Sequence, residues 1–165
     1  MPDTSHLGQL FNNAQTDIVK KVEGILREQN QYAATFYNIG EHTPVAGICA
    51  GADMFKKSGA DIIVSIGGGS PIDASKAIIY FVQQERGGEF VRQIAIPTTL
   101  SAAEYTVRGP FRHYISLVTT LISRKFGAGY TDETGQKTSV ASPYLAPAGV
   151  ILDAELTLPT PERLW

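Results

Sequence analysis

The chain has 165 residues and a mass of 17.8 kDa, the length of one ordinary domain, with 43% hydrophobic and 18% charged residues. That balance excludes a disordered or fibrous chain, and a net charge of −2 removes the general electrostatic case for a nucleic-acid or anionic-membrane partner. The single cysteine, Cys49, excludes an intramolecular disulfide framework and a multi-cysteine zinc site. The N-terminal MPDTSHLGQL lacks the basic and apolar regions of a signal peptide, and no apolar run approaches the ~20 residues that span a bilayer, so a soluble, cytoplasmic protein is expected.

Residues 1–15 show no period and read as a tail. From Thr16, a helix cap, Ile18, Val19, Val22, Ile25 and Leu26 form one apolar stripe. Ala33–Ile39 reads as a short strand. Thr43-Pro44 reads as a cap and first residue of a second helix, with Val45, Ile48, Cys49, Ala52 and Phe55 on its apolar face and Gly59 beyond its end. Cys49 is therefore expected in the core. Asp61–Ile66 is a nearly continuous apolar run, the mark of a strand covered on both faces.

Gly67-Gly68-Gly69 then leads into Ser70-Pro71-Ile72-Asp73, read as a helix start with a hydroxyl cap, proline at the first position and a carboxylate at the third. This helix carries Ile72, Ile79 and Val82 inward and ends near Arg86-Gly87-Gly88. Val91–Ile96 is the next strand, stopped by Pro97. Two consecutive β-α-β units predict an α/β fold, a parallel sheet with helices on its faces. Later, Gly127–Thr131 and Gln136–Val140 flank the turn Asp132–Gly135 and predict a β-hairpin; Val150–Leu152 is a short strand, and Thr160-Pro161-Glu162 has the form of a helix start.

Strand–GGGS–helix is the strongest functional motif. Glycines at the carboxyl end of a parallel strand leave backbone N–H groups beside a helix N-terminus, where the dipole also favours phosphate. Gly68, Gly69 and Ser70 are the expected donors. Asp73 sits badly beside a phosphate and better accepts hydrogen bonds from a ligand's uncharged end, with Lys76 one turn on to offset its charge. The same residues are also compatible with a tight turn that binds nothing. Ile96-Pro97-Thr98-Thr99-Leu100-Ser101 ends the next strand at the same sheet edge. The hydroxyls of Thr98 and Thr99 suit ribose or a carboxamide, or ordinary capping of a short helix at 101–106. Glu104 and Asp153 are candidate acids or bases without an evident partner. Lys137 is either an exposed hairpin lysine or one that reaches a ribose or phosphate. His6, His42 and His113 show no metal-ligand spacing.

Together, Gly67-Gly68-Gly69-Ser70-Pro71-Ile72-Asp73-Ala74-Ser75-Lys76, Ile96-Pro97-Thr98-Thr99 with Ser101, Glu104 and Thr106, Gly135-Gln136-Lys137-Thr138, and Pro143 to Asp153 resemble the N-terminal domain of the iron-containing alcohol dehydrogenase superfamily, which includes maleylacetate reductases and glycerol dehydrogenases. The resemblance implies a Rossmann-like domain that binds NAD or NADP. Gly68, Gly69 and Ser70 would hold the pyrophosphate, Asp73, Thr98 and Thr99 would face the nicotinamide, and Lys137 would approach the cofactor ribose. It implies hydride transfer to or from a small-molecule alcohol or carbonyl substrate. It also implies an iron or zinc ion in the full-length form, held in a helical C-terminal domain outside this chain, and leaves a homo-oligomer of that form open.

Two departures accompany the resemblance. The family's first β-strand is expected to be missing before Thr16. Residues 107–126 carry four of the fourteen basic residues and none of the sixteen acidic ones, and removing them leaves a family-like join between Thr106 and Gly127. The expectation is a truncated dinucleotide-binding domain over 16–165, inactive alone, with 107–126 foreign to the fold, as a retained intron or faulty gene model would leave it. The alternative is a non-catalytic nucleotide-binding remnant or a misannotated gene product.

Overall fold

The apolar run after Asp61 becomes the middle of a parallel sheet. The computed structural model describes residues 16–40, 42–105 and 126–161, and the backbone of 7–11. The elements are β1 (Leu7–Phe11), α1 (Asp17–Glu28), β2 (Tyr32–Phe36), α2 (Val45–Ser58), β3 (Ile62–Gly67), α3 (Gly69–Arg86), β4 (Arg92–Pro97), β5 (Phe126–Thr131), β6 (Lys137–Ser142) and β7 (Gly149–Val150), with short 3₁₀ turns at Ala103–Tyr105, Pro143–Leu145 and Ala154–Thr157. Five strands pair in the order β2-β1-β3-β4-β7, all parallel, and β5 and β6 form a separate antiparallel hairpin.

Residues 1–15 are therefore not all tail. Leu7–Phe11 pairs with β2 on one side and β3 on the other. A strand does precede Thr16, and the folded unit starts before residue 16. Gly8 and Gln9 break the apolar run that normally marks a central strand, and the partners that define β1 lie 25 and 55 residues on, at Tyr32 and Ile62. The order 2-1-3-4 sets a topological switch point between β1 and β3, because connections leave those strands in opposite directions. Ligands of open α/β sheets bind outside the carboxyl ends of the strands at such a point.

Alternate residues of β3 face opposite layers. Val64 and Ile66, with Ile96 of β4, meet Val19 of α1; Ile63 meets α2 and α3 through Ile48, Ala52, Phe55, Ala77, Ile78 and Ile79. α2 and α3 cross closely at Gly51, where an added Cβ would stand 2.5 Å from Ile78 Cδ1. The buried stripe of α2 runs Ile48, Gly51, Ala52, Phe55, so Cys49 is turned to solvent and is not core. The hairpin covers the outer side of α3: Ala128 and Val140 join its core and Tyr130 stacks edge-on against Phe81 at 5.8 Å. α3 therefore buries Ala74, Ser75, Lys76, Ala77 and Ile78 as well as the three residues its apolar pattern marked.

Several termini follow the sequence. Thr16 caps α1, its hydroxyl accepting from Val19 N–H, and Gly59 ends α2 in the left-handed conformation. The Asp132 carboxylate accepts from the N–H and hydroxyl of Thr134 and from Gln136 N–H, which tightens the hairpin turn. Two termini differ. Thr43 does not cap α2: it is buried at φ +54, its hydroxyl donates to Ser70 C=O at 3.3 Å, and Pro44 occupies the cap position. Ser70 does not cap α3 either, since the helix already starts at Gly69 and its cap is Gly68.

At the carboxyl edge of the sheet, Leu100, Ile151, Leu152 and Leu158 are half or more exposed. Thr160, close by, donates its hydroxyl to Thr98 C=O. Of the expected helix start at 160–162, Thr160 and Pro161 are described and Glu162 lies outside the described residues; of the segment 107–126, only Phe126 is described, and it opens β5. Among those residues, no helix is long and apolar enough to cross a membrane.

Candidate functional site

β3 delivers the chain to the switch point and Gly67 turns it at φ +134, a conformation that side-chain-bearing residues rarely adopt. Gly68 is the cap of α3, so no side chain of its own satisfies the first-turn amides, and Pro71 has no N–H to offer. The remaining amides of that turn are those of Gly68, Gly69 and Ser70, the expected donors.

Pro97-Thr98 lies directly alongside. Thr98 N–H donates to Gly67 C=O at 2.9 Å, which joins the end of β4 to the glycine corner. The loop after β4 then crosses the corner: a Cβ on Gly68 would stand 3.0 Å from Thr99 Oγ1, and one on Gly69 would stand 3.4 Å from Ser101 Cβ. Glycine at 68 and 69 thus serves the close seating of this loop as well as any close approach by a ligand. The structure brings Gly68, Gly69, Ser70, Thr98 and Thr99 to one corner.

Asp73 stands one turn into α3. Its Oδ2 accepts from Gly129 N–H at 3.1 Å, so the carboxylate is drawn toward the hairpin. One further turn on, Lys76 is fully enclosed, and its ammonium donates to Ala103 C=O and, at 3.3 Å, to Gly127 C=O. Burial pushes this ammonium below the ordinary lysine pKa, and the charges of Asp73 and Glu104 only partly oppose that. Glu104 is itself 5% exposed, and its Oε2 has no hydrogen-bond partner among the described residues. It serves this buried charge cluster and is closed to a substrate. Asp153 is exposed and accepts from Glu155 N–H at 2.9 Å, a local cap.

Lys137 is not in the corner. It lies exposed on β6 opposite Thr131. β5 runs back along α3, from Gly127 beside Lys76 and Gly129 beside Asp73 to Thr131, which bonds the carbonyls of Thr43 and His42 near Ser70. That places Lys137 at the glycine end of the helix, on the outer strand. Sequence reasoning missed Thr43 and Thr160, which brace Ser70 and Thr98 through backbone carbonyls; a threonine beside a proline was the available signal at both.

Among the described residues, no three of the His, Cys, Asp and Glu side chains come together as a metal site. The iron or zinc implied by the resemblance therefore finds no ligand set among the described residues.

A doubly wound α/β unit with a glycine corner at its switch point is the class of domain these features define. The profile of the iron-containing alcohol dehydrogenase family matches residues 10–108, and the chain belongs to that family of oxidoreductases. It is 33% identical over 129 residues to a maleylacetate reductase of Rhizobium sp. strain MTP-10005, covering 78% of this chain and 29% of that protein. It is 26% identical over 162 residues to the bifunctional aldehyde-alcohol dehydrogenase AdhE of Escherichia coli K12, covering 94% and 18%. The crystal structure of the Rhizobium reductase superposes with a TM-score of 0.71 at 28% identity, over 95% of this chain and 37% of that one. An iron-containing alcohol dehydrogenase from Thermococcus thioreducens shares the fold with a TM-score of 0.76 at 19% identity. The chain thus spans less than half the length of these relatives.

Proposed function

We propose that this chain is the nicotinamide-cofactor-binding portion of an NAD(P)-dependent oxidoreductase of the alcohol dehydrogenase or maleylacetate reductase type. The observation that carries the reading is the glycine corner at the β1/β3 switch point, braced by the bond from Thr98 N–H to Gly67 C=O. The cofactor's diphosphate would rest on the amides of Gly68, Gly69 and Ser70 at the positive end of α3. Asp73, Thr98 and Thr99 would bind and orient the nicotinamide side, and Lys137 would lie toward a ribose. When bound, the cofactor supplies hydride chemistry toward a small-molecule alcohol or carbonyl compound. As part of the same proposal, 107–126 is an addition to this unit.

The test is a fluorescence titration of the chain with NADH and NADPH, followed by alcohol-oxidation assays with added iron or zinc. Saturable binding of either dinucleotide, without turnover, is expected. Failure of a cooperatively melting chain to bind either one refutes the reading. Binding without turnover also fits a second reading, a non-catalytic nucleotide-binding chain. Joining the chain to the remaining portion of a relative separates the two, because only the enzyme portion would then gain activity.

A further inference from the structure

α3 begins at the glycine corner, but the two walls of that corner come from elsewhere. One is the loop Thr98–Ser101, which continues into the 3₁₀ turn at Ala103–Tyr105; the other is β5, whose Gly129 N–H holds Asp73. Among the described residues, no strand pairing joins one wall to the other.

Lys76 touches both. Its enclosed ammonium donates to Ala103 C=O on the first wall and to Gly127 C=O on the second, from a helix whose own first turn is the floor of the corner. Enclosing a lysine at this point is expensive, and an apolar residue of similar length would ordinarily serve packing better. An ammonium, however, has several donors on one atom and can hold two carbonyls from distant parts of the chain at a fixed separation. Asp73 and, after it, the buried Glu104 supply the counter-charges that favour the ammonium.

We infer that Lys76 is a positioning residue for the nicotinamide side of the cofactor site, setting the distance between the Thr98–Thr99 loop and the strand that orients Asp73. The inference rests on the cofactor reading given above. It places the effect of Lys76 on one end of the ligand only. The diphosphate seat is built from amides of α3 itself, and its tie to the first wall is the bond from Thr98 N–H to Gly67 C=O, which Lys76 does not make, whereas the nicotinamide end needs the spacing of both walls.

The test compares NADH with ADP-ribose, which keeps the diphosphate and lacks the nicotinamide, on the native chain and on Lys76→Met. The expected result is a loss of about tenfold or more in NADH affinity, as the loss of two charge-assisted hydrogen bonds would give, with ADP-ribose affinity held within about twofold. A variant that is merely less stable would weaken both ligands together. Equal losses, or no loss, overturn the inference. If Lys76→Met does not melt cooperatively, Glu104→Gln decides in its place: it keeps the shape and removes one of the two counter-charges, and an unchanged ratio of NADH to ADP-ribose affinity overturns the inference. If the native chain binds neither ligand, the cofactor reading fails first, and the inference falls with it.

Discussion

Lys76 sits where a lysine is least comfortable, fully enclosed between α3, a 3₁₀ turn and a hairpin, and that discomfort has a measurable sign. Desolvation lowers its pKa in the folded state, while Asp73 and Glu104, the charged groups facing it, pull the other way and do not win. The unfolded chain holds its lysine proton up to the ordinary value of 10.5. Between the depressed folded value and that one, the unfolded state binds more protons, so stability rises with pH across that window. Denaturant unfolding followed as pH rises toward 10.5 should show this rise in the native chain and not in Lys76→Met. Parallel curves for the two would mean that the ammonium is solvated after all. At the same scale, Asp73 and Thr98 are held in place by backbone groups of other elements, Gly129 N–H and Gly67 C=O. The side chains were visible in the sequence; their partners, 56 residues away in the case of Asp73, were not.

Among the elements, α3 carries the most. It is packed by the sheet on one side and the hairpin on the other, with Ala74, Ala77 and Ile78 fully enclosed. Ile78 also fills the gap that Gly51 leaves in α2, so Ile78→Ala opens a cavity at a helix crossing that cannot easily collapse. A loss of ~2–5 kcal/mol is expected, read as a lower denaturant midpoint at unchanged slope. β3, β4 and the hairpin were legible because each signal is local: a continuous apolar run, a glycine or proline stop, and an aspartate-to-glycine turn. β1 was not, because Gly8 and Gln9 interrupt its pattern and its pairing is supplied from both sides by strands that come later. The second buried face of α3 was hidden for the same kind of reason, since the hairpin that covers it begins 40 residues after the helix ends, at Phe126. At Ser70 the hydroxyl favoured a cap, yet the glycine before the helix took that place, so no side-chain cap occupies the first-turn amides on which the proposed cofactor would rest.

For the whole molecule, the two carbonyls bonded to Lys76 show how the chain closes around residues 107–126. Both lie within 3.3 Å of one nitrogen, although 23 residues separate Ala103 from Gly127. Without 107–126, the three residues Glu104, Tyr105 and Thr106 would link the same two points, and an extended chain covers ~3.3–3.6 Å per residue, more than this closure asks for. Deletion of 107–125, which spares Phe126 of β5 and so leaves one more residue in that link, is therefore expected to leave a cooperatively melting chain whose melting temperature is no lower and whose NADH affinity is within about threefold of the parent, since closing a loop costs little extra per added or removed residue. A deletion that abolishes the melt would show that those residues belong to the fold.

The carboxyl edge of the sheet has a practical corollary. Leu100, Leu152 and Leu158 are each more than two-thirds exposed, and Ile151 is half exposed. Water wets such a rim at a free-energy cost that dimers and larger clusters relieve. A net charge of −2 supplies little colloidal repulsion against that association. Raising the concentration of this chain is thus expected to favour self-association through the leucine rim, read as a concentration-dependent rise in light scattering.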